Sequence, residues 1–396
     1  MNRTSATRWP AERWPAGADK SDEFLFSIHM MHILGFDIGG ANLKVSDADG
    51  RAASVPFAMW KQHCELPSKL AEIGHSVCRQ PDLVAATMTA ELADCFPTKA
   101  EGVEFVIRSL QQAFPEVPIR IWLNSGEFAE PDDAVELPML VAAANWHALA
   151  TWAGRAVPEG PSILIDMGST TTDVIPLLHG RPEVFETSDL DRLLRSELVY
   201  TGAFRTPVCS VAGSVMFRRQ RCPLAAELFA TMADAYLIVG QLEEDASCTE
   251  TADGRPLTRQ ASLNRMAHML CCDLTEVTEQ ELQLVAEDLI SHQRHQICSA
   301  VQTVMKSLQR IVQEDAAATG EPRGPKRKFR PAVILSGSGA QIARQAVDQF
   351  GRENFSEIML LSDMSDLSVT QVATAFAIAR LAHDRCQDDL LEETLF

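Results

Sequence analysis

The sequence predicts an α/β protein of two similar lobes around a central cleft, and three observations predict it. Segments with strand and helix periodicity alternate along the chain, which implies mixed sheets covered by helices. The run Ile33-Leu34-Gly35-Phe36-Asp37-Ile38-Gly39-Gly40 is echoed by Ile163-Leu164-Ile165-Asp166-Met167-Gly168-Ser169. In both, an apolar strand leads into Asp-x-Gly and another apolar strand follows, an internal repeat at a spacing of about 130 residues. A chain of 396 residues is also too long for one small core.

The elements follow in order. His32–Met59 reads as three short strands, reversed at Gly39-Gly40-Ala41-Asn42 and at Asp47-Ala48-Asp49-Gly50. A helix over Leu66–Cys78, a strand over Asp82–Thr89, a helix over Lys99–Phe114 and a strand over Ile119–Leu123 come next. One apolar helix over Ala134–Ala153 closes this half, and its polar interruptions exclude a membrane span. The second half opens with Ile163–Leu177, two strands around a Gly-Ser-Thr-Thr-Thr-Asp centre. Helices fill most of Pro223–Glu314, including a long polar-faced pattern from Thr278 to Val312. Thr319–Pro331 reads as a Gly-, Pro- and Lys/Arg-rich loop in which Lys326, Arg327 and Lys328 form a solvated basic cluster. Ala332–Val347 reads as strand, Gly-Ser-Gly-Ala turn and helix, followed by a strand over Ile358–Ser362 and a helix over Val369–Ala382. The lobes therefore span 31–160 and 161–364, the second with a helical insertion at about 215–315, and 365–396 form a C-terminal helix and tail that return to the first lobe. Residues 1–30 lack the apolar run of a signal peptide and read as a disordered leader, with Met30 or Met31 an alternative start.

Composition narrows the class. Hydrophobic residues at 46% and charged residues at 22% are ordinary for a soluble globular enzyme. A formal net charge of −19 repels phosphate backbones and acidic membranes, arguing against nucleic-acid and membrane partners. The ten cysteines contain no CxxC pair, so neither a zinc site nor a disulfide framework is implied, and a reduced cytoplasmic location fits. His292 and His295 lie near Cys298, but Ser291, Gln293, Arg294 and Gln296 make that stretch read as a solvated helix face rather than a metal site. A homo-oligomer is compatible with all of this.

Three turns at strand ends carry the chemistry: Asp37-Ile38-Gly39-Gly40, Asp166-Met167-Gly168-Ser169-Thr170-Thr171 and Ser336-Gly337-Ser338-Gly339. Glycine lets backbone N–H groups approach phosphate oxygens where a Cβ would hold them away. Gly39, Gly40, Asn42, Gly168, Gly337, Ser338 and Gly339 are therefore candidate phosphate ligands, with the hydroxyls of Ser169, Thr170, Thr171 and Thr172. Lys44 adds charge to the first turn, unless it is a strand-surface lysine. Carboxylates do not bind phosphate directly, so Asp37 and Asp166 make sense as ligands of a divalent cation, Mg²⁺ above all, between them and the phosphate. A helix opening near Ala340 would aim its N–H groups at an anion or a ribose. For a hairpin with a Ser/Thr-rich turn and no ligand, none of these roles would apply.

The order Asp-x-Gly, Asp-x-Gly-x-Thr, Gly-x-Gly resembles the two phosphate motifs and the adenosine motif of the acetate and sugar kinases, heat-shock chaperone ATPases and actin. That implies an α/β, two-lobed, RNase H-like ATPase fold with a central cleft. Gly35–Lys44, Met88–Val103, Ala142–Ala150, Ile163–Pro176, Leu198–Ser210, Thr231–Gly240 and Ser262–Asp273 are together similar to the hydantoinase/oxoprolinase-type proteins of the tetrahydromethanopterin-linked one-carbon pathway. The archaeal members of that family resemble the synthase that forms the furan–phenol ether of methanofuran. The resemblance spans roughly Ile33 to Ala382 and implies a condensation in which a furanylmethyl diphosphate meets a γ-glutamyltyramine- or tyrosine-type phenol and pyrophosphate leaves. The phosphate loops and Mg²⁺ would stabilise the departing charge. A phenol with a pKa near ~10 needs a base, for which Glu91, Asp94 and Asp173 are candidates. Lys99 and Arg205 would meet substrate carboxylates or the diphosphate, and Tyr200, Thr201 and Gly202 would line the pocket. Structural alternatives are a capping role for Glu91 and Asp94 before Pro97, and neutralisation of Asp189 or Asp191 by Arg205. The competing functional readings are an ATP-dependent kinase or hydantoinase/oxoprolinase-like hydrolase, with ATP as cosubstrate, and a non-catalytic anion sensor.

Overall fold

The computed structural model describes residues 31–184, 187–318, 328–363 and 371–393. The expected leader, and Lys326 and Arg327 of the basic loop, lie outside the described residues. The chain forms two units: the described parts of Met1–Pro158, His179–Asp189 and Met359–Phe396, and those of Glu159–Leu178 and Leu190–Ile358.

The first unit is built on a six-stranded sheet. Its strands are β1 (Ile33–Ile38), β2 (Asn42–Asp47), β3 (Ala52–Pro56), β4 (Leu83–Met88), β5 (Ile119–Trp122) and β6 (Phe128–Ala129), in the order β3-β2-β1-β4-β5-β6. β1, β4 and β5 run parallel, while β2, β3 and β6 pair antiparallel. Every residue of β1 and β4 is buried, as expected of central strands covered on both faces. Helices Leu66–Val77 and Lys99–Ala113 cover one face, and their buried residues join Phe36, Ile38, Leu43 and Val84 in one core. The helix Ala373–Glu393 packs on β1, and Phe376 meets the edge of Trp152 at 5.2 Å.

The single helix expected over Ala134–Ala153 is instead three: Pro131–Glu136, Pro138–Val141 and Asn145–Ala153. Pro138 has no N–H to continue the ladder, and Ala143 sits at φ +51°, a left-handed conformation that ends the middle piece. β9 (Arg181–Pro182) belongs to this unit and packs near Asn145–Ala153.

The second unit repeats the opening of the first. β7 (Pro161–Met167) and β8 (Thr172–Leu178) form an antiparallel hairpin, β10 (Leu198–Val199) flanks β8, and β13 (Ala332–Ser336) lies parallel to β7. Between them come a second hairpin, β11 (Ser214–Phe217) with β12 (Gln220–Pro223), and the helices Met232–Ile238, Arg259–Met269 and Glu279–Ala318. The β11–β12 hairpin opens the segment expected to be helical. Its two-residue turn, Arg218-Arg219, holds φ of +48° and +65° without the Asn-Gly or Asp-Gly pair that would announce it. The 40-residue helix Glu279–Ala318 buries Leu282, Val285, Leu289, Ile297, Val301 and Leu308 along one stripe. The helix Ala340–Gly351 follows β13, and the chain crosses back at Ile358, within β14 (Ile358–Leu360). No helix among the described residues is long and apolar enough to cross a membrane.

Candidate functional site

The internal repeat holds residue for residue. Asp37 pairs with Lys44 across β1 and β2, and Asp166 pairs with Asp173 across β7 and β8. In the first turn the Gly39 N–H donates to the Asn42 carbonyl at 3.0 Å, and in the second Gly168 N–H donates to the Thr171 carbonyl at 2.9 Å. Each position of one turn thus has its counterpart in the other.

In both turns the carbonyls are tied back. Those of Ile38, Gly40 and Ala41 accept from the N–H groups of Thr89, Met59 and Phe57. The Gly168 carbonyl accepts from Ala203, and the Ser169 carbonyl from Phe204 and Arg205. The N–H groups of Gly40, Ala41, Ser169 and Thr170 donate to no acceptor among the described residues. Each turn thus leaves two consecutive backbone donors unused beside tethered carbonyls, the kind of donor set that anion-binding turns present. The Ser169 and Thr170 hydroxyls lie 3.4 Å apart beside theirs.

Two glycines make the second turn possible. A Cβ on Gly202 would fall 2.5 Å from the Thr170 nitrogen, so only glycine lets the 201–205 segment lie on that turn. Gly337 has φ +86°, and a Cβ there would fall 2.3 Å from the Met167 carbonyl oxygen and 2.8 Å from Asp166 Oδ1. The Gly337 turn therefore presses directly against Asp166, and the Gly339 N–H donates to the Met167 carbonyl at 2.8 Å. Ser338 is exposed beside it. Asp166, the Gly168–Thr171 turn, the Thr201–Arg205 segment and the Gly337 turn thus form one cluster within the second unit.

The charges around the two aspartates differ. Lys44 Nζ lies 3.4 Å from Asp37 Oδ2, with the carboxylate nearly buried. Asp173 instead sets a second carboxylate opposite Asp166 and is bonded by the buried guanidinium of Arg192. As a candidate base, Asp173 is therefore already engaged by a cation. Glu197 lies in the same neighbourhood; burial pushes its carboxyl up to about 7, against the pull of Arg192 and Arg195.

Glu91 fits a base better. It follows β4, two residues after Thr89, whose N–H bonds the Ile38 carbonyl of the first turn. Burial pushes its carboxyl up to about 7, opposed by nearby Lys99, and its Oε2 has no hydrogen-bond partner among the described residues. Lys99 opens the helix Lys99–Ala113, whose N-cap Thr98 accepts from the Glu101 N–H. Asp94 is exposed and caps neither that helix nor the preceding turn.

Other expected ligands have structural tasks. Thr172 is fully buried and its hydroxyl donates to the Thr201 carbonyl at 2.7 Å, so it cannot also serve a phosphate. Thr201 is buried and its hydroxyl accepts from Gln293 Nε2 at 2.7 Å, which makes it a support rather than a pocket wall. Tyr200 is 69% exposed and Arg205 is exposed. Gln293 was expected on a solvated face and is instead fully buried, because position 293 falls on the apolar stripe of its helix.

Thr87 is missed by the sequence reading, and Ser336 enters it only as the first residue of the Ser336–Gly339 turn. Each stands in register with an aspartate on the neighbouring parallel strand, Thr87 with Asp37 and Ser336 with Asp166, and each has a buried hydroxyl without a partner among the described residues. The signal is a hydroxyl residue at the carboxyl end of a buried strand, next to last in β4 and last in β13. The described residues hold no cluster of three or more His, Cys, Asp or Glu placed for a metal.

Residues 82–385 match the family model described as hydantoinase/oxoprolinase. A curated relative from Methanocaldococcus jannaschii, a (glutamylaminoethyl-phenoxymethyl-furan-2-yl)methanamine synthase, is 34% identical over 353 residues, 88% of this chain and 97% of that protein. A synthase of the same name from Methanococcus vannielii is 29% identical over 220 residues, 55% of this chain and 89% of its own. Among solved structures, nucleotide-free acetone carboxylase, from work on ATP-dependent acetone carboxylation, aligns with a TM-score of 0.52 and 11% identity, covering 88% of this chain and 70% of that one. That likeness shows the fold alone, the mixed α/β one described above.

Proposed function

Because the chain belongs to the hydantoinase/oxoprolinase family, we propose that it is a transferase of methanofuran-type C1-carrier biosynthesis. It condenses an (aminomethyl)furanylmethyl diphosphate with the phenol of a γ-glutamyltyramine- or tyrosine-type acceptor. The phenol oxygen attacks the furanylmethyl carbon, the carbon–oxygen bond to the diphosphate breaks, and pyrophosphate leaves with the electron pair. The observation that carries this is the 34% identity to the M. jannaschii synthase along 97% of its length.

The residues have work to do in that reaction. The free N–H groups of Gly40, Ala41, Ser169 and Thr170 bind diphosphate oxygens, and their fixed dipoles favour the charge that grows on the leaving group. Lys44 adds positive charge at the first turn. Glu91, whose burial raises its carboxyl to about 7 and so makes its ionised form a stronger base, takes the phenolic proton. Arg205 and Lys99 meet acceptor carboxylates, and Tyr200 lines the acceptor's path.

Asp37 in the first unit and Asp166 in the second are each proposed as a Mg²⁺ ligand. The fit is that of an ion held by few protein carboxylates, with water and substrate phosphate completing its shell. The orphaned hydroxyls of Thr87 and Ser336, in register with those carboxylates, suit hydrogen bonds to such water. When bound, the ion neutralises charge on the departing diphosphate.

The test is the purified protein with Mg²⁺, the furanylmethyl diphosphate and both acceptor types, without nucleotide. Mass detection should find the ether together with one pyrophosphate per turnover. ATP consumed stoichiometrically with no ether formed would replace this function with the ATP-dependent one.

A further inference from the structure

Within the second unit, one polar side chain interrupts the apolar stripe of the helix Glu279–Ala318: Gln293, which has no exposed surface. Both polar atoms of its amide are bonded. The Tyr236 hydroxyl donates to Gln293 Oε1, which fixes the amide's orientation. Nε2 then donates to Thr201 Oγ1 at 2.7 Å and to the Gly202 carbonyl at 2.8 Å. Thr201 and Gly202 are held from other sides as well. Thr172 Oγ1 donates to the Thr201 carbonyl, and the Gly202 N–H donates to Thr206 Oγ1 at 2.8 Å. Gly202 in turn lies against the Ser169–Thr170 backbone, and the three N–H groups after it tie back the Gly168 and Ser169 carbonyls.

We propose that Gln293 is a positioning residue for the second anion turn. By fixing Thr201 and Gly202 it keeps the Gly168 and Ser169 carbonyls turned away and the Ser169 and Thr170 N–H groups presented to a phosphate. The inference rests on the anion-binding role given to that turn above. Leucine at 293 would leave the Tyr236 hydroxyl buried without a partner and the Gly202 carbonyl with only the Thr206 hydroxyl, at 3.4 Å. Glutamate would set a second acceptor against the Gly202 carbonyl.

Pyrophosphate binding in the presence of Mg²⁺, followed by calorimetry, and steady-state kinetics of the full chain test it. Gln293→Leu and Gln293→Glu should raise the pyrophosphate Kd and the KM for the furanylmethyl diphosphate about 10- to 100-fold. The KM for the phenol acceptor should stay within about twofold. Thr201→Val should follow them, whereas Thr201→Ser, which keeps the hydroxyl, should behave as wild type. A merely structural residue would lower the active fraction, and with it kcat, leaving both KM values in place. An unchanged pyrophosphate Kd in folded Gln293→Leu overturns the proposal. If that variant does not fold, Tyr236→Phe decides in the same way, since it removes only the hydroxyl that orients the amide. Wild-type protein that binds no pyrophosphate removes the anion role of the turn, and the proposal with it. That outcome is distinct from wild-type binding with indifferent variants, which overturns the positioning role alone.

Discussion

The β1–β2 and β7–β8 hairpins are one device built twice and charged oppositely. Each ends its first strand in an aspartate and closes with the same N–H to carbonyl bond, Gly39 to Asn42 and Gly168 to Thr171. Each also carries a buried hydroxyl residue in register on the next parallel strand. Yet the residue facing Asp37 is Lys44, while the residue facing Asp166 is Asp173. The first turn supplies its own counter-charge. The second sets two carboxylates opposite each other and depends on Arg192, reaching in from the helix Asp189–Leu194, to offset one of them. Duplicated backbone geometry thus need not duplicate electrostatics: one aspartate has a lysine of its own hairpin beside it, the other a second carboxylate.

The contrast can be broken most strongly at the two buried glutamates, one in each unit. Glu91→Gln should lower kcat by about 10²- to 10⁴-fold if Glu91 is the base. Glu197→Gln, equally displaced in pKa but assigned no proton transfer, should stay within about twofold. Wild-type kcat/KM should rise with pH and level off above a midpoint near 7, a limb that Glu91→Gln loses. The stability effect has the opposite sign to that of an ion-paired carboxylate. Both groups hold their proton to about 7 when folded, against 4.5 as their ordinary value. The native state therefore binds more protons than the unfolded state between those limits, and stability falls as pH rises through the window. At pH 8 both glutamine variants should have a higher Tm than wild type.

The counter-charges come next. Arg192→Met should destabilise by about 3–5 kcal/mol in denaturant unfolding, because it takes a buried guanidinium away from the buried Asp173 carboxylate. Lys44→Met should cost less than about 1 kcal/mol, since that pair is partly open to solvent. Equal costs would mean that the two hairpins are electrostatically alike after all.

The glycines sharpen the same comparison. Gly202→Ala should cost about 1–3 kcal/mol, because its Cβ meets backbone. Gly40→Ala meets nothing within 4 Å and needs no unusual φ, so Tm should hardly move. A ligand phosphate drawn close to the first turn would nevertheless feel the new methyl, and the KM for the diphosphate should rise about tenfold.

Much of this was legible because it is local. Apolar strands ending in Asp-x-Gly fix both the hairpins and their repeat, whereas Glu91, Asp94 and Asp173 stay unranked as bases until burial and the Arg192 contact separate them. What the sequence hid depends on partners distant along the chain. Thr172 looks like its hydroxyl neighbours until the Thr201 carbonyl claims it. Gln293 looks solvated among Ser291, Arg294 and Gln296 until the stripe of its own helix turns it inward. Pro138 and Ala143 break a helix that apolar periodicity alone runs straight through, and the Arg218-Arg219 turn uses residues that rarely take positive φ.

Backbone amide NMR during a pyrophosphate titration in the presence of Mg²⁺ tests the paired turns most directly. The amides of Gly40 and Ala41 in the first unit, and those of Ser169 and Thr170 in the second, should show the largest shifts. Shifts confined to other regions, or to one hairpin only, would contradict the assignment of both turns as anion sites.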